Sequence, residues 1–186
     1  MNIDFTQEQL VAFYRSTSTD GRKAVKEALG EKFSEALPAT ERVKTYEDAV
    51  KELGNDHPLV EAASSASWRF TNPEDNDIIA YLKLRVIVAA LNDGWKPQFV
   101  PGEQRWYPWY ELISKEDYEA MSEDEKQERR GVGRSGNYAV AFGGLVYSIA
   151  IVASSGSYAS HGSRLAFKSK ALAEYAGKQF AELFAD

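Results

Sequence analysis

"EDNDIIAYLKLRVIVAALNDG", residues 74–94, decides the fold reading. From Ile78 to Leu91 its apolar residues run nearly all round a helix, which marks a central buried helix rather than a surface one. Asp75 or Asp77 is the expected cap, and Gly94 the expected stop. Lys83 and Arg85 stand two positions apart, so they cannot share a helical face. The apolar run is too short and too charged for a membrane span. After Gly94 the texture turns to β. "WKPQFV" (95–100), the Pro101-Gly102 pair and "RWYPWYELI" (105–113) read as a hairpin, with Pro-Gly suited to a type II turn.

Upstream of the central helix the chain reads as helices. Thr6 and Gln9 form a capping box, with Phe5 and Leu10 as its staple. A short helix is expected over Gly21–Leu29, capped by Asp20 and stopped by Gly30. Thr45 and Asp48 open "YEDAVKEL", which Gly54 ends. Residues 55–74, punctuated by His57-Pro58 and Asn72-Pro73, read as irregular.

Downstream, Ser114 with Asp117 and Ser122 with Glu125 are capping boxes. They mark residues 115–130 as a charged helical excursion broken near Met121. "NYAVAF" (137–142) and "LVYSIAIVA" (145–153) flank a Gly143-Gly144 turn and read as a second hairpin. "SSGSYASHGS" (154–163) reads as a loop, and "RLAFK" (164–168) as a last strand. Ser169 caps a closing helix with a Leu172, Tyr175, Ala176, Phe180, Leu183 and Phe184 stripe. The expected fold is α+β and a single domain, 1–186. Residues 1–54 form its helical N-terminal part. Residues 75–186 hold the central helix, an antiparallel sheet of about four to six strands over 95–168, and the C-terminal helix.

Composition narrows the function classes. The chain has 186 residues and a net charge of −6. That balance argues against duplex DNA, whose binding is driven by Lys and Arg on phosphates. Cysteine is absent, which excludes disulfides, thiolate metal sites and a cysteine nucleophile and fits a reducing, cytoplasmic setting. No signal peptide is read at the N-terminus.

"RVKTYEDAVKELG" (42–54), "DIIAYLKLRVIVAALNDGWKPQF" (77–99), "RWYPWYEL" (105–112), "MSEDEKQERR" (121–130) and "SRLAFKSKALAEYAGKQF" (163–180) carry a resemblance that spans almost the whole chain. They resemble a family of small uncharacterised proteins of Bacteroides-group gut bacteria and of their phages and prophages. The resemblance implies no activity, cofactor or catalytic residue. It does imply a steady scaffold presenting an adaptable segment at 131–162. Tyr110 departs from the Phe or Trp expected after "YPW", and an aromatic ring is kept.

The motifs give little chemistry. "GVGRSG" (131–136) matches G-x-G-x-x-G but lacks the strand before it and the helix after it. "PEDND" (73–77) lacks the Gly and later Glu of a calcium loop. His57 and His161 have no partner at metal-ligand spacing, and no G-x-S-x-G supports a serine hydrolase. Arg129, Arg130 and Arg134 can hold a phosphate or carboxylate, or simply end an acidic helix. Alternation sorts the aromatic strand into Trp106, Pro108, Tyr110 and Leu112, expected to face the core. Arg105, Tyr107, Trp109, Glu111 and Ile113 form the other face, where Tyr107 and Trp109 are the candidates for an exposed platform beside Arg105. Tyr138, Tyr147 and Tyr158 lie in a Tyr/Ser/Gly-rich stretch of paratope-like composition.

The expected binding set is therefore Arg105, Tyr107, Trp109, Arg130, Arg134, Tyr138, Tyr147 and Tyr158, with no catalytic or metal residues and no cofactor. The expected function is a non-enzymatic binding protein of phage or mobile-element origin, virion association included. It would engage a protein partner or self-assemble through the aromatic edge. The alternative is a binder of a small anionic ligand or nucleotide. Single-stranded nucleic acid binding ranks below both.

Overall fold

The computed structural model describes residues 5–98, 100–130, 144–154 and 163–185. The chain divides into two compact units, Met1–Arg42 and Val43–Asp186.

In the first unit, α1 (Gln7–Ser16) starts on the expected reciprocal Thr6/Gln9 box. α2 (Thr19–Ala36) differs from expectation at its start and is kinked into two helical stretches. The Ser18 hydroxyl accepts from Gly21 N at 3.2 Å, so Ser18 takes the capping role assigned to Asp20. Gly30, at φ 66°, ends the first helical stretch where a stop was expected, and a second stretch follows across the kink to Ala36. α3 (Ala39–Arg42) closes the unit. Tyr14, Phe33 and Leu37 form its core, with Leu10, Val11 and Val25 packed against them.

In the second unit, α4 (Tyr46–Leu53) begins on the Thr45/Asp48 box and ends at Gly54, as expected. The stretch read as irregular contains a helix, α5 (Pro58–Arg69). His57-Pro58 opens it rather than breaking it. Pro58 sits in the first turn, where a missing N–H costs nothing, and His57 Nδ1 accepts from Leu59 N at 3.2 Å. Val60, Ala63 and Ala66 are its buried stripe. Asn72 caps a single 3-10 turn, Pro73–Asp75, which leads into α6 (Asn76–Asn92). Asp75 precedes α6 without a side-chain capping bond. α4 and α5 both pack on α6, which buries Leu84, Val86, Ile87, Val88 and Leu91 as the central helix should.

β1 (Gln104–Ile113) pairs antiparallel with β2 (Gly144–Ser154), not with 95–100. The Pro101-Gly102 turn does form, with Gly102 at φ 84° and Glu103 N donating to Val100 O at 3.2 Å. No strand precedes it among the described residues. Pro97 has no N–H to give, and the Gln98 N–H is taken by the Glu103 carboxylate at 2.8 Å. "RLAFK" is also not a strand. A 3-10 turn, Ser163–Leu165, is followed by one antiparallel bridge between Trp106 and Phe167. The described sheet thus has two strands and that bridge. "NYAVAF" and the loop holding His161 lie outside the described residues.

Ser114 caps α7 (Lys115–Ala120), Met121 ends that helix in extended backbone, and a Ser122/Glu125 box opens α8 (Glu123–Arg129). α9 (Lys170–Gln179), capped by Ser169, crosses one face of the sheet, and α10 (Ala181–Ala185) returns to α6. The α+β reading with a closing C-terminal helix holds. α9 also ties the unit's two ends together. The Tyr175 hydroxyl donates to Val43 O at 2.7 Å, and Gln179 Nε2 donates to Lys44 O at 2.9 Å.

One contact sets how close α9 can lie. A Cβ on Gly177 would sit 2.7 Å from both Pro108 Cβ and Tyr147 Cε2, far inside van der Waals contact. Gly177→Ala is expected to cost about 1–3 kcal/mol by overpacking, read as a lower denaturant midpoint.

Candidate functional site

The "RWYPWYELI" strand organises the site. Pro108 and Tyr110 of its Trp106/Pro108/Tyr110 face meet α9, as alternation suggested. The Tyr110 hydroxyl donates to Gly177 O at 2.6 Å, and its ring meets Tyr147 edge-on at 5.9 Å. Burial, and then the neighbouring Tyr147, holds the Tyr110 hydroxyl well above the ordinary phenol range. It therefore stays a donor at every working pH. Leu112, assigned to the same face, lies past the helix and is 76% exposed.

The opposite face departs from expectation. Arg105 is 3% and Tyr107 5% exposed, whereas Trp109 is 43% exposed. The expected platform pair is therefore split: Tyr107 is a core ring and Trp109 a surface one. Arg105 is buried and does not stand as a free arm beside them. Alternation names the two faces of a strand but not whether the second is covered, and here it is covered over half its length. A register shift between Trp109 and Tyr110 marks the change.

Tyr147 is also a core residue. Its ring lies under the Lys178 ammonium at 5.4 Å and beside Tyr110. Burial, with Glu174 second, pushes its hydroxyl up to about 12. Arg129 is committed within the chain. It pairs with the Glu111 carboxylate at 2.5 Å and donates to Tyr147 O at 3.3 Å. The Ser148 hydroxyl also donates to Glu111, at 2.8 Å. That hydroxyl first and Arg129 second hold the Glu111 carboxyl below the ordinary range. Arg130 ends α8 at φ 46°. It lines a polar hollow of about 400 Å³ with Gln127, Glu128, Glu174, Tyr175, Lys178 and Gln179. In that wall Glu128 and Glu174 offset the charges of Arg130 and Lys178. Arg134, Tyr138 and Tyr158 lie outside the described residues. Among the described residues no cluster of His and carboxylates is placed to hold a metal, and no helix is long and apolar enough to cross a membrane.

The cleft that emerges is one that sequence reading only half located. It has a volume of about 410 Å³ and is walled by Tyr81, Tyr107, Pro108, Trp109, Tyr110, Leu165 and Phe184. Four consecutive β1 residues from both pleat faces line it, and no β2 residue does. The cleft therefore lies against the outer edge of β1. Tyr81 comes from α6 and Phe184 from α10, two contributions that local spacing around residues 105–110 could not signal. Among the described residues no arginine lines the wall. Comparison with models of protein families, with curated proteins and with solved structures found no match.

Proposed function

We propose that the protein is a non-enzymatic binding protein that takes an apolar segment of a protein partner at the outer edge of β1. The observation that carries this reading is the cleft itself. Among the described residues its wall is wholly aromatic and aliphatic, without a charged side chain. Trp109 and Tyr81 stand at its mouth with 43% and 39% of their surface exposed. Exposed aromatic rings beside a cleft are the side chains that most often dominate protein interfaces. A phage or mobile-element origin, in the cytoplasm of a bacterial host or on a virion, is supported by the resemblance described above and fits the same role.

The test uses the full chain immobilised and panned with a random twelve-residue peptide library. Enriched peptides are expected, and Trp109→Ala with Tyr81→Ala should weaken them at least about tenfold, or 1.4 kcal/mol. The circular dichroism spectrum and melting temperature should hold, because both rings are at the surface. No enrichment, or enriched peptides that bind the double variant equally well, would remove this reading.

A further inference from the structure

Resting on that reading, we propose that the cleft's occupant is an extended peptide strand added to the outer edge of β1, apolar opposite Pro108–Tyr110 and basic where it passes α7. The backbone supplies the first support. Trp106 N donates to Phe167 O at 3.0 Å, and Phe167 N donates to Trp106 O at 2.9 Å. Trp106 thus turns both its polar groups away from β2. Backbone groups alternate along a strand, and the register shift after Trp109 leaves out Ser148 of β2 but no residue of β1, so those of Pro108, Tyr110 and Leu112 turn the same way.

The bridging chain leaves this edge at once, because Ser163–Leu165 is a 3-10 turn. Pro108 gives no donor, which blunts the edge at that point. Beyond it, Tyr110 and Leu112 present N–H and C=O groups with no strand opposite them among the described residues. A row of backbone donors and acceptors is matched by another extended backbone. The apolar side chains described around the cleft beside it match an apolar side chain on that backbone.

Charge supplies the second support. α7 follows β1 after Ser114 alone, and its first turn exposes Glu116 and Asp117. The chain as a whole carries −6. A strand running past Ile113 meets this acidic turn, so a Lys or Arg there is favoured and an acidic residue is disfavoured.

Two substitutions at one position separate backbone from side chain. The Leu112 N–H faces outward, so Leu112→Pro removes an edge donor and spares the β1–β2 ladder. Leu112→Thr changes the side chain and keeps the donor. The probes are the library-selected peptides. They are expected to share an extended apolar core, to lose at least tenfold on Leu112→Pro and to stay within about threefold on Leu112→Thr. Amide exchange at Tyr110 and Leu112 should slow in the complex. Peptides that bind Leu112→Pro undiminished, yet fail with the Trp109/Tyr81 double variant, would overturn strand addition and leave the cleft reading standing. Equal losses with Pro and Thr would also overturn it, by assigning the effect to the leucine side chain. A peptide-free dimer by light scattering that Leu112→Pro dissociates would make the occupant a second copy, and so refute the peptide partner.

Discussion

Replacing Phe167 with alanine is expected to cost about 3–5 kcal/mol and to lower the melting temperature by about 10 °C. Phe167 is fully buried, and its backbone makes both bonds of the bridge to Trp106. Removing the ring leaves a cavity whose walls are pinned on both sides, by that bridge and by Asn92. The site can therefore collapse little, which places the cost in the upper part of the range for aromatic truncation. A total stability of about 5–15 kcal/mol makes this a large fraction. All four tryptophans, Trp68, Trp95, Trp106 and Trp109, lie in the second unit. Their fluorescence during urea unfolding reports that unit separately. Phe167→Leu should recover most of the loss. Recovery no better than alanine would show that filling the space is not what matters there.

The second large effect is at Asn92, which is 2% exposed. Its Nδ2 donates to Ala166 O at 2.7 Å, and its Oδ1 accepts from Lys168 N at 3.0 Å. One amide thus satisfies a carbonyl and an N–H on either side of Phe167, joining the end of α6 to the bridging segment. Asn92→Ala deletes both bonds and strands two backbone groups, for an expected loss of about 2–4 kcal/mol. Asn92→Asp keeps the acceptor but turns a carboxylate oxygen toward Ala166 O. Burial and that carbonyl raise the folded-state pKa of such an aspartate above its unfolded value of about 3.9. The folded state then binds the proton more tightly. The variant is expected to be most stable below pH 4 and to lose stability as pH rises through the folded pKa. A flat difference from wild type across pH 3–7 would contradict the proposed hydrogen-bond geometry.

How far these features were legible varies with how local their cause is. The Thr6, Thr45 and Ser122 caps and the Gly54 stop each depend on residues within one turn, and each was readable. α6 was readable because a run this apolar, interrupted only by Lys83 and Arg85, has to be buried nearly all round. The α5 stripe of Val60, Ala63 and Ala66 was hidden by its small residues and by a proline whose meaning depends on whether a helix follows. The pairing of β1 was misassigned to the nearer segment. Pro101-Gly102 makes a good turn, but Pro97 and the Glu103 side chain deny the preceding residues a ladder. Tyr107 looked like a platform because alternation separates faces without saying what lies over them. Tyr81 and Phe184 join the cleft from 26 residues before Tyr107 and 77 after it, a distance at which sequence spacing carries no geometric information.

The bonds from Tyr175 to Val43 and from Gln179 to Lys44 join residues 132 and 135 positions apart. They bear on how the protein is born. The backbone groups at the start of the second unit find these partners only when α9 has left the ribosome. At about 5–20 residues per second, that leaves the nascent unit incomplete for on the order of ten seconds. During this interval the apolar flank of α6 and the rings of β1 are made but not yet closed over by α9. Such long-range closure is slow after release as well. The aromatic edge proposed here for binding in the finished protein is, in the growing one, an exposed liability to chaperones and to misassociation.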